Sequence, residues 1–418
     1  MNTTKYHMRF VIPGTLAIAS LSAGLGAQGV ASGIEQLVQR AMTGAPALAA
    51  ARARVEAAEG ERQQAGLRPN PTAEVSRREE FGGIDNQTFV GVTVPLDLFR
   101  RDARVAVASH HVQHTASEVE AAELERAYLV RVRAAAVLGA RRQLDVVTQV
   151  AQTAKSRLDL LAARAETGAG RPLDRDLADV EWRRAEAERT QWAGRLTAAE
   201  AELKAAVGIT DDVAAWLPLP LEAEVKLLPA PDPPTPDDVL ADRPDIRALV
   251  SEEAMAAAAR DLAVSEGRWN LAISAGYMRR TIAMPGGRDG MNEAMLGVMV
   301  DLPWRNRQQG AVAAADATRR AVASELAQRR IDAAAELEAA RAREHAATDT
   351  VTRFQGGWLA LAQRNLEVVR EAWTLGDATL FDVIEEERRF LALQADYTTA
   401  MRELIGARAD VRRATGVR

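Results

Sequence analysis

The chain has 418 residues, enough for two or three domains, yet only 4% are aromatic while 47% are hydrophobic, chiefly Ala, Leu and Val. A formal net charge of −5 offers no basic footprint for nucleic acid. Cysteine is absent, which excludes disulfides, thiolate metal sites, cysteine nucleophiles and lipid attachment through a cysteine.

In chain order, residues 1–31 come first. Lys5 and Arg9 precede an apolar stretch, Phe10-Val11-Ile12 and then Leu16 to Leu25, and small residues follow from Ala23 to Ala31. This is the three-part layout of a secretory signal peptide, with cleavage expected between Ala23 and Ala31. The apolar stretch is short of the about 20 residues that a bilayer span needs. No later stretch reads as a transmembrane helix, so entry into a membrane would require a closed barrel.

The remainder divides into two similar halves, residues 32–208 and 237–418, joined by a linker over 209–236. The first half predicts a helix over 34–66, strands over 72–80 and 88–98, a very long helix over 102–166 and a return helix over 175–207. The second half predicts a helix over 237–266, strands over 270–280 and 294–303, a long helix over 308–374 and a return helix over 380–415. Thr167-Gly168 corresponds to Leu375-Gly376, and Asp174, Leu196, Ala199 and Gly208 fall on Asp382, Leu404, Ala407 and Gly416 at the same spacing. Gly91-Val92-Thr93-Val94 likewise pairs with Gly297-Val298-Met299-Val300. So many coincident positions indicate an ancestral duplication.

Heptad seams run through both long helices, as Leu144, Val147, Ala151, Ala154, Leu158, Leu161 and Ala165, and as Leu359, Ala362, Leu366, Val369 and Trp373. The linker holds Pro218, Pro220, Pro229, Pro231, Pro233, Pro234 and Pro236, so a continuous helix is excluded there and irregular chain or a short strand is expected. Leu271, Ile273, Ala275 and Tyr277, and then Leu296, Val298, Val300 and Leu302, alternate with other residues. That period of two suits a wall between lipid and lumen. The strand over 72–80 is polar by contrast and reads equally as a solvent-facing hairpin.

A helix of some 65 residues reaches about 100 Å. The shorter helices are half that length, so two stacked end to end would match one long helix. Four strands in lipid would leave unpaired edges, at several kcal/mol per buried polar group. Closure therefore needs several chains.

Leu67-Arg68-Pro69-Asn70-Pro71, Phe81-Gly82-Gly83, Pro95-Leu96-Asp97-Leu98-Phe99-Arg100-Arg101, Ala103-Arg104-Val105-Ala106 and Asp242-Arg243-Pro244-Asp245-Ile246-Arg247, with the duplicated turn, resemble the TolC family of outer-membrane efflux channels. Within it the chain is most similar to the heavy-metal, CzcC-like branch, through its asparagine-proline and phenylalanine-glycine-glycine segments. The resemblance implies a mainly α fold with a small β part. A homotrimer would form an α-helical barrel in the periplasm and a transmembrane β-barrel among outer-membrane lipid. It also implies a periplasmic adaptor protein, an inner-membrane pump of the resistance-nodulation-division class, passive conduction and no cofactor. By the same resemblance Asp382 and Glu385 would line a gate at the periplasmic tip, beside the turns at Gly168 and Gly376. Helix capping is the competing role for Asp382. Asp174 is its counterpart in the first half, but Leu177 stands where a second acid would be.

His110, His111 and His114 form the best metal-ligand spacing, though a solvated helix face explains it as well. Trp269 and Trp304 flank the second strand pair, as an aromatic belt or as packing at strand ends. No phosphate-binding glycine loop, nucleophile elbow or zinc-protease helix is present, so no enzyme is expected. The readings in play are a channel for heavy-metal cations, a channel of the same fold for drugs or secreted proteins, and a periplasmic coiled-coil scaffold.

Overall fold

The computed structural model describes residues 32–81, 85–228 and 242–417. The expected signal peptide, residues 229–236 of the expected linker and residues 237–241 of the helix expected after it lie outside them. No proline occurs between Pro95 and Pro172, and within that interval the chain forms one helix, α3 (Arg101–Glu166), about 100 Å long. It is preceded by α1 (Gly33–Gly44), α2 (Pro46–Ala65), β1 (Thr72–Glu79) and β2 (Asp85–Pro95), and followed by α4 (Pro172–Val207). A 3₁₀ turn (Val213–Trp216) and α5 (Leu221–Leu227) cross to the second half. There α6 (Pro244–Glu266), β3 (Asn270–Met284), β4 (Gly287–Asp301), α7 (Gln309–Arg353), α8 (Leu359–Leu375) and α9 (Leu380–Thr415) repeat the order.

Four expectations need correction. The helix over 34–66 is two helices, because Pro46 cannot donate to the preceding turn; it starts α2 after an extended Ala45. The linker carries a short helix rather than a strand. Pro220 serves as its N-cap, and the residues from Leu221 to Leu228 contain no proline. The strands over 270–280 and 294–303 extend to Met284 and back to Gly287, meeting in a tight hairpin at Pro285-Gly286. The intervening sequence hid that pairing, because Ile282-Ala283-Met284 breaks the apolar–polar alternation and Gly286, Gly287 and Gly290 read as loop. The helix over 308–374 is broken by a π-helical turn, Phe354–Trp358, where Gly357 has φ 122°.

The expected end-to-end stacking is present. The left-handed Gly208 (φ 80°) that ends α4 lies against Ala45 and Pro46 at the start of α2; a Cβ on it would sit 3.0 Å from both. Gly416 (φ 73°), ending α9, lies the same way against Arg243 and Pro244 at the start of α6, with Cβ distances of 3.5 Å. Glycine meets both needs here, a positive φ and room for a neighbouring helix to abut. Along α3, α2 packs antiparallel beside its first part and α4 beside the rest. The bonds Arg101–Gly66 (2.7 Å), Arg52–Glu123 (2.7 Å) and Arg126–Ala206 (3.1 Å) mark the order. In the second half, α6 packs on both α3 and α7, while α9 packs on α3, α7 and α8.

The main core sits where these stacks meet. It contains Ile34, Leu37, Val130, Leu138, Leu203, Val207, Leu217, Leu221, Met401 and Leu404. The linker is tied into it. Buried Glu224 of α5 accepts from the Gly33 N–H (2.9 Å) and the Ser32 hydroxyl (2.5 Å), closing the open N–H end of α1. Arg142 holds Glu222 at 2.6 Å, and Arg408 donates to the carbonyls of Val225 and Leu228.

Candidate functional site

The first part of the site is the sheet. Its order is β1-β2-β3-β4, entirely antiparallel, with two edges unpaired within the chain. The register sets Val75 against Val90, Val90 against Tyr277, Val92 against Ala275, Val94 against Ile273, and then Ala275 against Leu296 and Ile273 against Val298. These residues share one face because paired positions point the same way. That face is aliphatic and exposed, Leu296 at 88% and Val298 at 68%. The other face is mixed: it carries Glu74, Ser76, Gln87, Thr93, Ser274, Arg280 and Glu293, with Phe89, Ile282 and five methionines among them. Arg280 pairs with Asp85 there (2.9 Å). Along β3, residues 272–280 alternate, the positions of this second face being partly covered and the aliphatic positions exposed. That second face is read as the concave one, since its β3 positions are the more covered, while on β4 Met291, Met295 and Met299 remain exposed.

Phe89 shapes that concave face. Its ring lies over two glycines opposite each other, Gly91 and Gly276, where an added Cβ would stand 2.5 and 2.4 Å from ring carbons. Trp269, at the start of β3, packs edge-on against Phe99 at 5.2 Å, whereas Trp304 is exposed. β3 and β4 have 15 residues each, more than the about 9–11 a tilted strand needs to cross a membrane. Among the described residues no helix is long and apolar enough to cross one.

The second part lies at the two helical turns. The turn at Gly168 (φ 73°) joins α3 to α4, and that at Gly376 (φ 90°) joins α8 to α9. Leu158, Leu161, Ala178, Leu380 and Ile384, with Trp182 and Trp373 against them, fill the interior just above the turns. The seam residues Val147, Ala151, Ala154, Leu158, Leu161 and Leu366 are all buried.

Asp382 and Glu385 both sit beside the second turn, with other bonds already made. Asp382 is exposed at the third position of α9. It accepts from the Thr379 hydroxyl (2.6 Å) and N–H (2.8 Å) and returns its own N–H to that hydroxyl (3.3 Å), a complete capping box. Those two bonds hold its carboxyl below the usual aspartate range, so it stays ionised at neutral pH. Glu385 pairs with Arg388 (2.9 Å), which also reaches Glu181 of α4 (2.5 Å). Asp174 has the same position in α4, but Arg171 precedes that helix and no side-chain cap forms.

The histidines diverge. His110 Nδ1 faces Gln113 (3.2 Å), His111 Nε2 faces Glu61 (3.7 Å) and His114 Nδ1 faces the Ala248 carbonyl (3.0 Å). Among the described residues no group of three or more His, Asp or Glu is arranged around a common point.

The sequence reading missed one cluster. Arg157 of α3 and Glu387 of α9 form a buried two-pronged pair, Nη1–Oε2 at 3.0 Å, and Arg370 of α8 adds a bond of 2.8 Å. Three helices are joined there. Arg157 interrupts the apolar seam beside Leu158, and that is the only signal in the sequence.

Residues 37–209 match the family model for outer membrane efflux proteins, a span that coincides with the first half. None of the curated proteins searched matches the chain. Several solved structures share the fold. CusC superposes with a TM-score of 0.76 at 16% identity, covering 93% of each chain. The open-state MtrE outer membrane channel of Neisseria gonorrhoeae gives 0.75 at 18% identity, over 92% of this chain and 89% of the other. The outer membrane protein VceC of Vibrio cholerae gives 0.73 at 18%, over 92% and 96%.

Proposed function

We propose that the protein is the outer-membrane channel of a tripartite efflux system, passively conducting heavy-metal cations from the periplasm or pump to the exterior. The observation that carries the reading is the sheet: one exposed aliphatic face, one concave face that holds charged and hydroxyl side chains beside methionines, and two open edges. Such an object is stable in lipid only when closed, because hydrocarbon cannot satisfy an unpaired edge. Three chains would supply a twelve-stranded barrel. The stacked helices, each full column about 100 Å long, would supply the tunnel below it. A periplasmic scaffold would have no use for the aliphatic face. The family model and the shared fold of CusC and MtrE support the same reading.

The remaining assignments follow from it. Leu173, Leu177, Leu375 and Phe381 are exposed around the turns, which suits docking to a periplasmic adaptor and, through it, to an inner-membrane pump of the resistance-nodulation-division class. Asp382 and Glu385 would set a ring of carboxylates at the constriction, attracting cations. The double variant Asp382→Asn, Glu385→Gln removes the charges while Asn retains part of the cap. Weaker cation preference in planar bilayers is expected; unchanged preference would refute the gate. The channel itself is tested by extracting the mature protein from outer membranes. A trimer whose gel mobility changes on boiling is expected, and a soluble monomer or dimer would overturn the reading.

A further inference from the structure

The chain has 10 methionines, and five of them fall in β3 and β4: Met278, Met284, Met291, Met295 and Met299. All five lie on the concave face. The register sets Met278 opposite Glu293, Met284 opposite Gly287, Met291 opposite Arg280, Met295 opposite Gly276 and Met299 opposite Ala272. The aliphatic face of the same two strands has none; it carries Leu, Ile, Val, Ala and Tyr and, toward the hairpin, Arg279, Thr281, Arg288 and Asn292. Contact with lipid therefore does not account for them. Gap filling, the usual employment of methionine, does not either, since Met291, Met295 and Met299 are 51%, 41% and 61% exposed.

Three of them surround one carboxylate. Met278 stands directly across from Glu293, while Met291 and Met295 lie two residues on either side of Glu293 in β4. Each is thus a diagonal neighbour of Met278, about 7–8 Å away, within reach of a flexible, unbranched side chain. Phe89 lies opposite Met278 on the other side and presents an aromatic ring to the same patch. The nearest cation in the register, Arg280, is engaged by Asp85.

We propose that this patch binds soft monovalent cations, Ag⁺ or Cu⁺, through the thioethers of Met278, Met291 and Met295 with Glu293 adding charge. Neutral sulfur ligands favour such ions over Mg²⁺, Ca²⁺ or Zn²⁺. None of the four strands contains a histidine or cysteine that would favour zinc. Weak, exchanging ligands on an open wall suit passage, because an ion held in a lumen must also leave it. The proposal deepens the channel reading by naming the class of cargo, and rests on that reading only for how the ions arrive.

The test uses the full mature chain, reconstituted in planar bilayers in potassium nitrate because chloride precipitates silver. Micromolar Ag⁺ is expected to lower the K⁺ current reversibly, and Zn²⁺ to leave it unchanged. The variant Met278→Leu, Met291→Leu, Met295→Leu, close in volume, is expected to keep the K⁺ current and to need at least tenfold more Ag⁺ for the same effect. An intact K⁺ current that ignores Ag⁺, or equal sensitivity in the variant, overturns the thioether site and leaves the channel standing. Absence of any K⁺ current overturns the channel instead. The site is then decided in detergent by peroxide oxidation of the unmodified chain, read by mass spectrometry. Protection of the three methionines by Ag⁺ supports it, and equal oxidation with and without Ag⁺ overturns it.

Discussion

Glu387→Gln tests the joint between helices near the second turn. The substitution keeps the shape of the side chain and removes its charge. Arg157, only 8% exposed, is left as an unpaired cation beside Leu158 and Ile384. Removing one partner from a buried pair costs about 3–5 kcal/mol. Arg157 also borders a cavity of about 250 Å³ shared with Glu181, Arg184 and Glu188. Water there can partly solvate the guanidinium, so the lower end, about 3 kcal/mol, is expected. Arg370 is 40% exposed and adds little. Hydrogen exchange of the α9 amides reads the joint locally. The expected change is roughly 100-fold faster exchange between residues 380 and 395. Replacing the pair together, Arg157→Leu with Glu387→Leu, should recover most of the loss, because no buried charge remains. Equal exchange in the single variant, the double variant and the unmodified chain would refute the reasoning.

Two further perturbations reach other parts of the molecule. Gly276→Leu puts a Cβ where the Phe89 ring lies and should abolish the heat-sensitive oligomer, whereas adding Phe89→Ala should restore part of it; recovery is read on unboiled gels. At the junction of α9 and α6, Arg243 binds Asp245 (2.9 Å), Glu336 (2.9 Å) and the Ala414 carbonyl (3.1 Å). Burial pushes the Asp245 and Glu336 carboxyls up, but bonds and charges from Arg243 and Arg329 outweigh it and hold both below their usual range. Depressed carboxyls stabilise the fold above their unfolded values and lose that contribution as pH falls through the folded ones, here below about pH 4. Acid unfolding followed by circular dichroism should therefore show a steep limb below about pH 4. Asp245→Asn with Glu336→Gln should flatten it, and an unchanged limb would exclude the network as its source.

Helix lengths, the duplicated order and the end-to-end stacking were legible because each has a local signature: heptad spacing, repeated glycine positions, and proline at helix starts. Pro46 showed where legibility fails, since a proline tolerated at a first turn and one that divides a helix look alike until the chain direction is known. The hairpin of β3 and β4 was missed over residues 281–293 for another reason. Ile282-Ala283-Met284 puts apolar residues on both faces and Gly286, Gly287 and Gly290 read as loop, so the period-two signal vanishes while the backbone pairing continues. At the turn, the structure shows Asp382 bonded in a capping box, and because that carboxylate stays exposed the cap does not decide against the proposed gate. Arg157 and Glu387 are 230 positions apart, and their pairing depends on three helices meeting.

The two halves are alike in order and unlike in mechanics. α3 is continuous from Arg101 to Glu166, whereas its counterpart is interrupted at Phe354–Trp358, with Gly357 in a conformation no helix interior contains. Phe354 is pinned there between Trp358 (5.6 Å) and Tyr397 of α9 (5.5 Å), so the break is anchored to the return helix. Beyond it, α8 and the start of α9 form a segment tied to α3 chiefly by the Arg157–Glu387 pair and the small apolar cluster beside it. A continuous helix resists bending along its whole length, while an interrupted one concentrates bending where its bonds are missing. Movement of the tip is therefore expected to turn about Gly357 in the second half, and the Arg157–Glu387 pair, with the Arg388–Glu181 pair to α4 beside it, must yield for it to do so.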